Sequence, residues 1–367
     1  MPQRFAILAL MLWVGFVSAQ QTTSDTYLLD GGYFYGSILR HNKDISHLIR
    51  NHPQGLMLGF SKKTFGEKAW QQRYNYPDYG ISFVYHDPLY DVLGSNMGVY
   101  AHLNFYFLKR NLSFKIGQGI AYNTNPFHLD DNPKNTAYGS RLLGAAYGML
   151  QYKKDRMFGP VGVYAGLSLF HYSNGNFRAP NTSTNTVAGN IGLTYSLTSE
   201  ENEQKYIHLD SLPKVSEAIK LNLMIRGGLN ESDYVNLGQH PFVVFSAYAD
   251  KRLTALNSIT LGGEFFISEF LRKEIAYVSI AFPGGTVSGE EDHKRVGLFM
   301  GHELHINTFA VVTQLGYYVY YPYDFEGRTY LRAGLKYRIS NQLFCAATLK
   351  THGAKAEAIE FGLGIRI

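Results

Sequence analysis

The chain has 367 residues and a formal net charge of +5, with 28 Tyr, 24 Phe, 37 Gly and 17% charged residues, against about 25% charged in typical soluble domains. Its single cysteine, Cys345, excludes an internal disulfide framework and a cysteine-rich metal site. The mild basic excess suits an anionic lipid surface but defines no partner, and no nucleic-acid partner is expected.

The first residues, MPQRFAILALMLWVGFVSAQ, place Arg4 before an apolar run from Phe5 to Val17, followed by the small residues Ser18 and Ala19. This pattern predicts a cleaved secretory signal peptide over residues 1–19, because the run is too short to span a bilayer as a helix. No later segment carries eighteen consecutive apolar residues, so no transmembrane helix is expected. Residues 20 to 50 show no clear alternation and are expected at the periplasmic end.

From residue 56 onward the chain alternates. In SNMGVYAHLNFYFL, Met97, Val99, Ala101, Leu103, Phe105 and Phe107 share one face, and Gly98, Tyr100, His102, Asn104 and Tyr106 the other. At the C-terminus Ile359, Phe361, Leu363, Ile365 and Ile367 oppose Glu360, Gly362, Gly364 and Arg366. Strands are predicted at 56–64, 78–86, 96–107, 111–122, 140–152, 160–173, 186–198, 217–229, 241–251, 258–270, 295–306, 308–321, 328–339, 342–351 and 357–367. The stretch 271–282 is ambiguous. Turn clusters such as HDPLYD, DDNPKN and PGGTVSGEED separate the runs. Alternating segments of about ten residues are the signature of an outer-membrane barrel, and bacterial single-chain barrels use even strand numbers. The expected fold is therefore an all-β, antiparallel outer-membrane barrel of about fourteen strands (twelve to sixteen), with residues 20–367 as one domain. A soluble periplasmic β-sandwich would have strands of half this length.

One strand ends unusually. In VGVYAGLSLFHYSNGNFRAPNTSTN, the apolar Val161, Val163, Ala165, Leu167 and Leu169 are odd-numbered, and so are His171 and Ser173. Without a bulge, His171 and Ser173 point outward at the membrane boundary, their Cα atoms about 7 Å apart; a bulge near residue 170 would turn His171 inward. A polar pair facing lipid is costly without a purpose. A serine beside a histidine is the minimal unit of nucleophilic catalysis, and an outward pair at this depth would meet acyl esters within the leaflet. The plainer alternative is a strand that turns polar where the membrane stops.

The same stretch resembles the active-site hairpin of the lipid A 3-O-deacylases, the PagL-type outer-membrane enzymes, also described as acyloxyacyl hydrolases. His171, Ser173, Asn174, Pro180 and Asn181 carry the resemblance, which covers roughly residues 50–198. It implies a serine esterase of the outer membrane that acts on lipid A or another outer-leaflet glycolipid without cofactor or metal. Ser173 would be the nucleophile and His171 the general base. Asn174 would stabilise the oxyanion, with Asn181 positioning beside it. The family's third catalytic residue is a glutamate fourteen positions after the histidine; here that position is Asn185. Asn185 shares odd parity with Val187, Ile191 and Leu193 and could face the same way as His171. An amide oxygen can orient imidazole but cannot stabilise imidazolium by charge. Three options follow: a slower Ser-His-Asn enzyme, an acid from another segment (Glu200 and Glu201 are nearest downstream), or a transport or structural barrel that has lost the activity.

Other motifs read as barrel features. In GHELHINT the two histidines, His302 and His305, would point to opposite faces of a strand. Tyr317, Tyr318, Tyr320, Tyr321 and Tyr323 suggest an interfacial aromatic girdle.

Overall fold

Alternating apolar and polar residues commit a chain to strands buried on one face only, and in a bilayer such strands must close so that every backbone group is paired. The computed structural model describes residues 25–199, 204–209, 211–212, 214–353 and 355–367. The expected signal peptide and both Glu200 and Glu201 lie outside these residues. Sixteen strands form among the described residues, from nine to seventeen residues long.

The first eight are β1 (Tyr27–Ile38), β2 (Gln54–Lys62), β3 (Asp78–Asp87), β4 (Asn96–Phe107), β5 (Leu112–Asn123), β6 (Leu142–Phe158), β7 (Val161–Ser173) and β8 (Thr184–Ser196). They are antiparallel neighbours in chain order, and β1 closes on β8 from Leu28 opposite Ser196 to Ile38 opposite Thr186. The second eight are β9 (Lys220–Glu231), β10 (Gln239–Arg252), β11 (Asn257–Ser268), β12 (Lys294–Ile306), β13 (Phe309–Tyr320), β14 (Thr329–Arg338), β15 (Leu343–His352) and β16 (Lys355–Arg366). They close through β16 and β9, from Phe361 opposite Gly227 to Arg366 opposite Asn222. Three helical elements lie between strands among the described residues: a 3-10 turn (Ser46–Leu48) after β1, α1 (Ala69–Arg73) after β2, and α2 (Glu269–Ala281) between β11 and β12.

The all-β class agrees with the sequence. The closure corrects it: sixteen strands make two barrels of eight, not one ring of about fourteen. The segment expected at the periplasmic end without alternation contains β1, and the ambiguous 271–282 stretch is the helix α2. No helix among the described residues is long and apolar enough to cross a membrane.

Lumen and exterior segregate as the pleat requires. On β16, Glu360 is fully buried while its neighbour Phe361 is 65% exposed. The lumen of the first barrel holds an aromatic cluster built on Phe34, Tyr100, Tyr147, Phe170 and Tyr172. The lumen of the second is crossed by Arg332, which bonds Glu360 through Nε at 2.6 Å and Glu264 through Nη1 at 2.7 Å. Arg226 also reaches Glu264, and Arg295 and Lys350 share Glu357. Side chains thus fill both barrels.

The tyrosine run divides. Tyr317 and Tyr320 are exposed on the exterior, whereas Tyr318 and Tyr321 are buried and stack with ring centroids 5.0 Å apart. His302 bonds Asn257 and His305 bonds Ser258. No group of three or more His, Cys, Asp or Glu among the described residues is placed to hold a metal ion.

Apart from the β2–β3 connection that carries α1, the longer loops of both barrels lie at one end, and most of the short turns lie at the other. The barrels touch at each end. At the short-turn end, Tyr74 donates its hydroxyl to the His305 carbonyl at 2.8 Å. At the long-loop end the contact runs through the hairpin that follows β7.

Candidate active site

β7 and β8 pair without a register shift from Val161 opposite Tyr195 to Tyr172 opposite Thr184. With no bulge to reverse it, the alternation that puts Leu167 (62% exposed) and Leu169 (45%) on the exterior carries His171 and Ser173 to the same side. Phe170 and Tyr172 point into the lumen and are fully buried.

His171 and Asn185 are direct cross-strand partners. His171 Nδ1 lies 2.8 Å from Asn185 Oδ1. An amide oxygen only accepts, so Nδ1 carries the proton and Nε2 is left as the basic nitrogen. This is the tautomer that a general base needs.

The loop from 174 to 183 brings the remaining residues back onto the strand end. Ser173 Oγ donates to Asn181 Oδ1 at 3.1 Å and accepts the Gly175 N–H at 3.0 Å. The Asn174 backbone N–H donates to the same Asn181 oxygen at 2.9 Å. The Asn174 amide Nδ2 donates to the Arg178 carbonyl at 2.6 Å. Asn181 Oδ1 therefore sits where the serine hydroxyl and the Asn174 N–H converge. Ser173 is 6% exposed beneath this loop. His41 closes the far side, its Nε2 2.9 Å from the Thr182 carbonyl.

The five candidate site residues thus lie at one strand end in two bonded groups, His171 with Asn185 and Ser173 with Asn174 and Asn181. The serine proton is directed at Asn181 rather than at His171.

A feature that motif reading missed lies on β6. Gly144 stands opposite Ser173, Ala146 opposite His171 and Gly148 opposite Leu169. A Cβ added at Gly144 would approach only the Ser173 carbonyl, and one at Gly148 only the ring of Phe114. These small outward residues form a trough running from Ser173 toward the middle of the barrel wall. Exposed Leu142, Leu150, Ile116 and Ile120 stand at its sides and ends. The alternation of small residues at 144, 146 and 148 was the available signal.

Comparisons with known proteins bear on the family of the chain. The family model described as lipid A 3-O-deacylase (PagL) matches residues 54–194, and the model described as the acyloxyacyl hydrolase C-terminal domain matches residues 219–367. No curated protein matches the chain. Among solved structures, one variant of the Rhodopseudomonas blastica porin is 9% identical, covering 93% of this chain and 100% of the porin at a TM-score of 0.20. Another variant of that porin is 8% identical with the same coverages at a TM-score of 0.19; superpositions that weak establish no shared arrangement. The two family models fall on the two barrels and together cover most of the chain, which belongs to the lipid A 3-O-deacylase family.

Proposed function

We propose that this protein is an outer-membrane serine esterase that removes an ester-linked acyl chain from lipid A or a related outer-leaflet glycolipid, at a site on the lipid-facing exterior of its first barrel. The observation that carries this reading is the oriented His171–Asn185 pair beside Ser173, on an apolar face at the head of a Gly-Ala-Gly trough. Outer-membrane barrels keep long loops outside and short turns in the periplasm. By that rule the Ser173 end faces the outer leaflet, and the start of β1 and the end of β16 face the periplasm, a reading supported by the loop lengths.

The ester carbonyl enters beside Ser173 with its acyl chain along the trough. Its oxygen takes the place of Asn181 Oδ1, and the serine hydroxyl, released from Asn181, turns to His171. Ser173 Oγ attacks the carbonyl carbon as its proton passes to His171 Nε2. The Asn174 N–H, freed from Asn181, donates to the oxyanion. Collapse breaks the ester C–O bond, and the departing sugar oxygen takes the proton from His171. Water, deprotonated by the same nitrogen, then releases the fatty acid and restores Ser173. Asn185 holds the tautomer throughout but adds no charge to steady the imidazolium. Turnover is accordingly slower than with a carboxylate, by up to about 10⁴ on the scale of the serine proteases. Neither cofactor nor metal takes part in these steps.

A silent barrel is the second reading, favoured by the asparagine at 185 and by the serine proton turned away from His171. A transport role fits less well, since side chains fill both lumens.

Mass spectrometry of lipid A from cells expressing the wild type, Ser173→Ala or no protein separates these. Loss of one acyl mass in the wild type alone is the expected result. Identical spectra from all three, with the protein folded in the outer membrane, would overturn the esterase.

A further inference from the structure

The loop carrying Ser173, Asn174 and Asn181 is held from two directions. Its returning arm is fixed by the first barrel: the Thr182 N–H donates to the Thr136 carbonyl at 3.0 Å and the Ser183 N–H to the Ala137 carbonyl at 3.2 Å. Its outgoing arm, residues 175–179, is fixed by the second barrel. The Glu231 N–H donates to the Asn176 carbonyl at 3.0 Å, and Asn176 Nδ2 donates to the Glu231 carbonyl at 2.8 Å. Glu231 Oε2 accepts the Ala179 N–H at 3.0 Å while Oε1 accepts the Gly238 N–H at 3.2 Å. Gln239 Nε2 adds a bond to the Phe177 carbonyl at 2.6 Å.

Glu231 is the last residue of β9 and is almost fully buried. Burying a carboxylate is costly unless its oxygens find donors, and here those donors are backbone amides, one from each barrel. Gly175 completes the contact. Its φ of 62° is left-handed, and a Cβ there would strike Ile359 on the exterior of β16. The loop therefore approaches the second barrel as closely as a bare backbone allows.

We propose that Glu231 is a positioning residue of the esterase site, through which the second barrel holds the catalytic loop in register with His171. The inference rests on the esterase reading. Ser173 Oγ accepts from Gly175, and Asn174 bonds Arg178, so displacement of the 175–179 arm displaces the nucleophile and the oxyanion donor. A misplacement of about 1 Å at reacting atoms costs roughly a hundredfold in rate.

The test uses the full chain in outer-membrane vesicles, with Glu231→Ala, Glu231→Gln and Ser173→Ala. Three quantities are read: deacylation kinetics on lipid A, labelling of Ser173 by a fluorophosphonate, and amide exchange over residues 174–181. Glu231→Ala is expected to lower kcat by about tenfold to a hundredfold with KM within about twofold, to slow labelling in proportion, and to speed exchange of the loop. Glu231→Gln keeps one acceptor and falls between. It carries the test if Glu231→Ala loses the heat-modifiable gel mobility of folded barrels. Wild-type kcat and labelling in both variants, with Ser173→Ala inactive, would overturn the inference and leave the esterase standing. A wild type that neither deacylates nor labels, yet whose loop exchange responds to Glu231→Ala, would sink the esterase and the positioning role together while leaving the grip as plain architecture.

Discussion

The first barrel packs its lumen mainly with rings, with the Asp30–Lys115 pair among them, whereas the second threads a network of arginine–glutamate pairs between its rings. Phe34 and Phe170 sit with centroids 4.4 Å apart and Tyr100 and Tyr147 at 5.0 Å. In the second barrel Arg332 lies fully buried between two glutamates. The corresponding hairpins differ as sharply. β7 and β8 are joined by residues 174 to 183, long enough to fold back over Ser173, whereas His352 and Lys355 pair directly at the turn from β15 to β16. The tight hairpin of the second barrel offers no loop to place donors around a nucleophile. What it offers is a wall, through Leu349 and Ile359, against which the 174–183 loop leans. On the proposed reading, two barrels of one architecture divide the work, one bearing the site and the other bracing it.

The largest effect that would break this division is at His171. His171→Ala should lower deacylation by up to about 10⁶, or ~8 kcal/mol of barrier, while the urea midpoint of the first barrel stays put. The comparison fails if the barrel melts early, because His171 would then be structural.

Next comes the second lumen. Arg332→Ala strips the counter-charge from buried Glu360 and leaves Glu264 with Arg226 alone, and breaking a buried pair costs about 3–5 kcal/mol. Denaturant unfolding should show that loss in the second barrel. Replacing Arg332, Arg226, Glu264 and Glu360 together with apolar residues of similar volume, so that no buried charge is left alone, should recover most of it. If the fourfold replacement is as damaged as Arg332→Ala, the charges specify the fold rather than merely satisfying each other.

The difference between lumens also explains what the sequence concealed. β7 and β16 were legible because the face opposite their apolar residues is polar, small or charged. β1 was not, since Leu28, Phe34 and Ile38 face an aromatic lumen while Leu29, Tyr33 and Tyr35 face outward. With both faces apolar, and Asp30, Gly31 and Gly32 between, no contrast survives. Asp30 makes sense only through Lys115, 2.6 Å away and eighty-five positions on. Closure into two rings depends on the pairing of β1 with β8 and of β9 with β16, which local alternation does not encode; the non-alternating stretch from 197 to 219 was its one trace. The site residues were legible because His171, Ser173 and Asn185 share one hairpin and one parity. Glu231 was not, because its partner Ala179 lies fifty-two positions away on the other barrel.

A smaller effect tests the trough. Ala146→Phe would fill the space beside His171 on β6. It should raise KM for a long-chain glycolipid roughly tenfold, about 1.4 kcal/mol, with kcat within about threefold and little change for a short-chain ester. Equal losses on both substrates would mean that the acyl chain does not lie along β6.

The smallest effect concerns α2, which exists only on the second barrel. Burial, with Asp233 nearby, pushes the Glu274 carboxyl above its usual value, against hydrogen bonds from Ser232 and Tyr323 and the charge of Lys355. The folded state therefore holds this proton more tightly than the unfolded chain. Stability falls with rising pH wherever the folded state binds more protons. The contribution of Glu274 is thus fully present below its unfolded value and is lost as pH rises through the folded one. Glu274→Gln, which does not ionise, should flatten the dependence. Amide exchange of α2 between about pH 4 and pH 7, corrected for intrinsic rates, should show protection declining in the wild type and level in Glu274→Gln. Ser173 labelling should be unchanged in this variant, because Glu274 bonds Ser232 and Tyr323 and makes no contact with the catalytic loop among the described residues. If labelling follows α2, the bracing of the site extends beyond Glu231 to the whole rim of the second barrel.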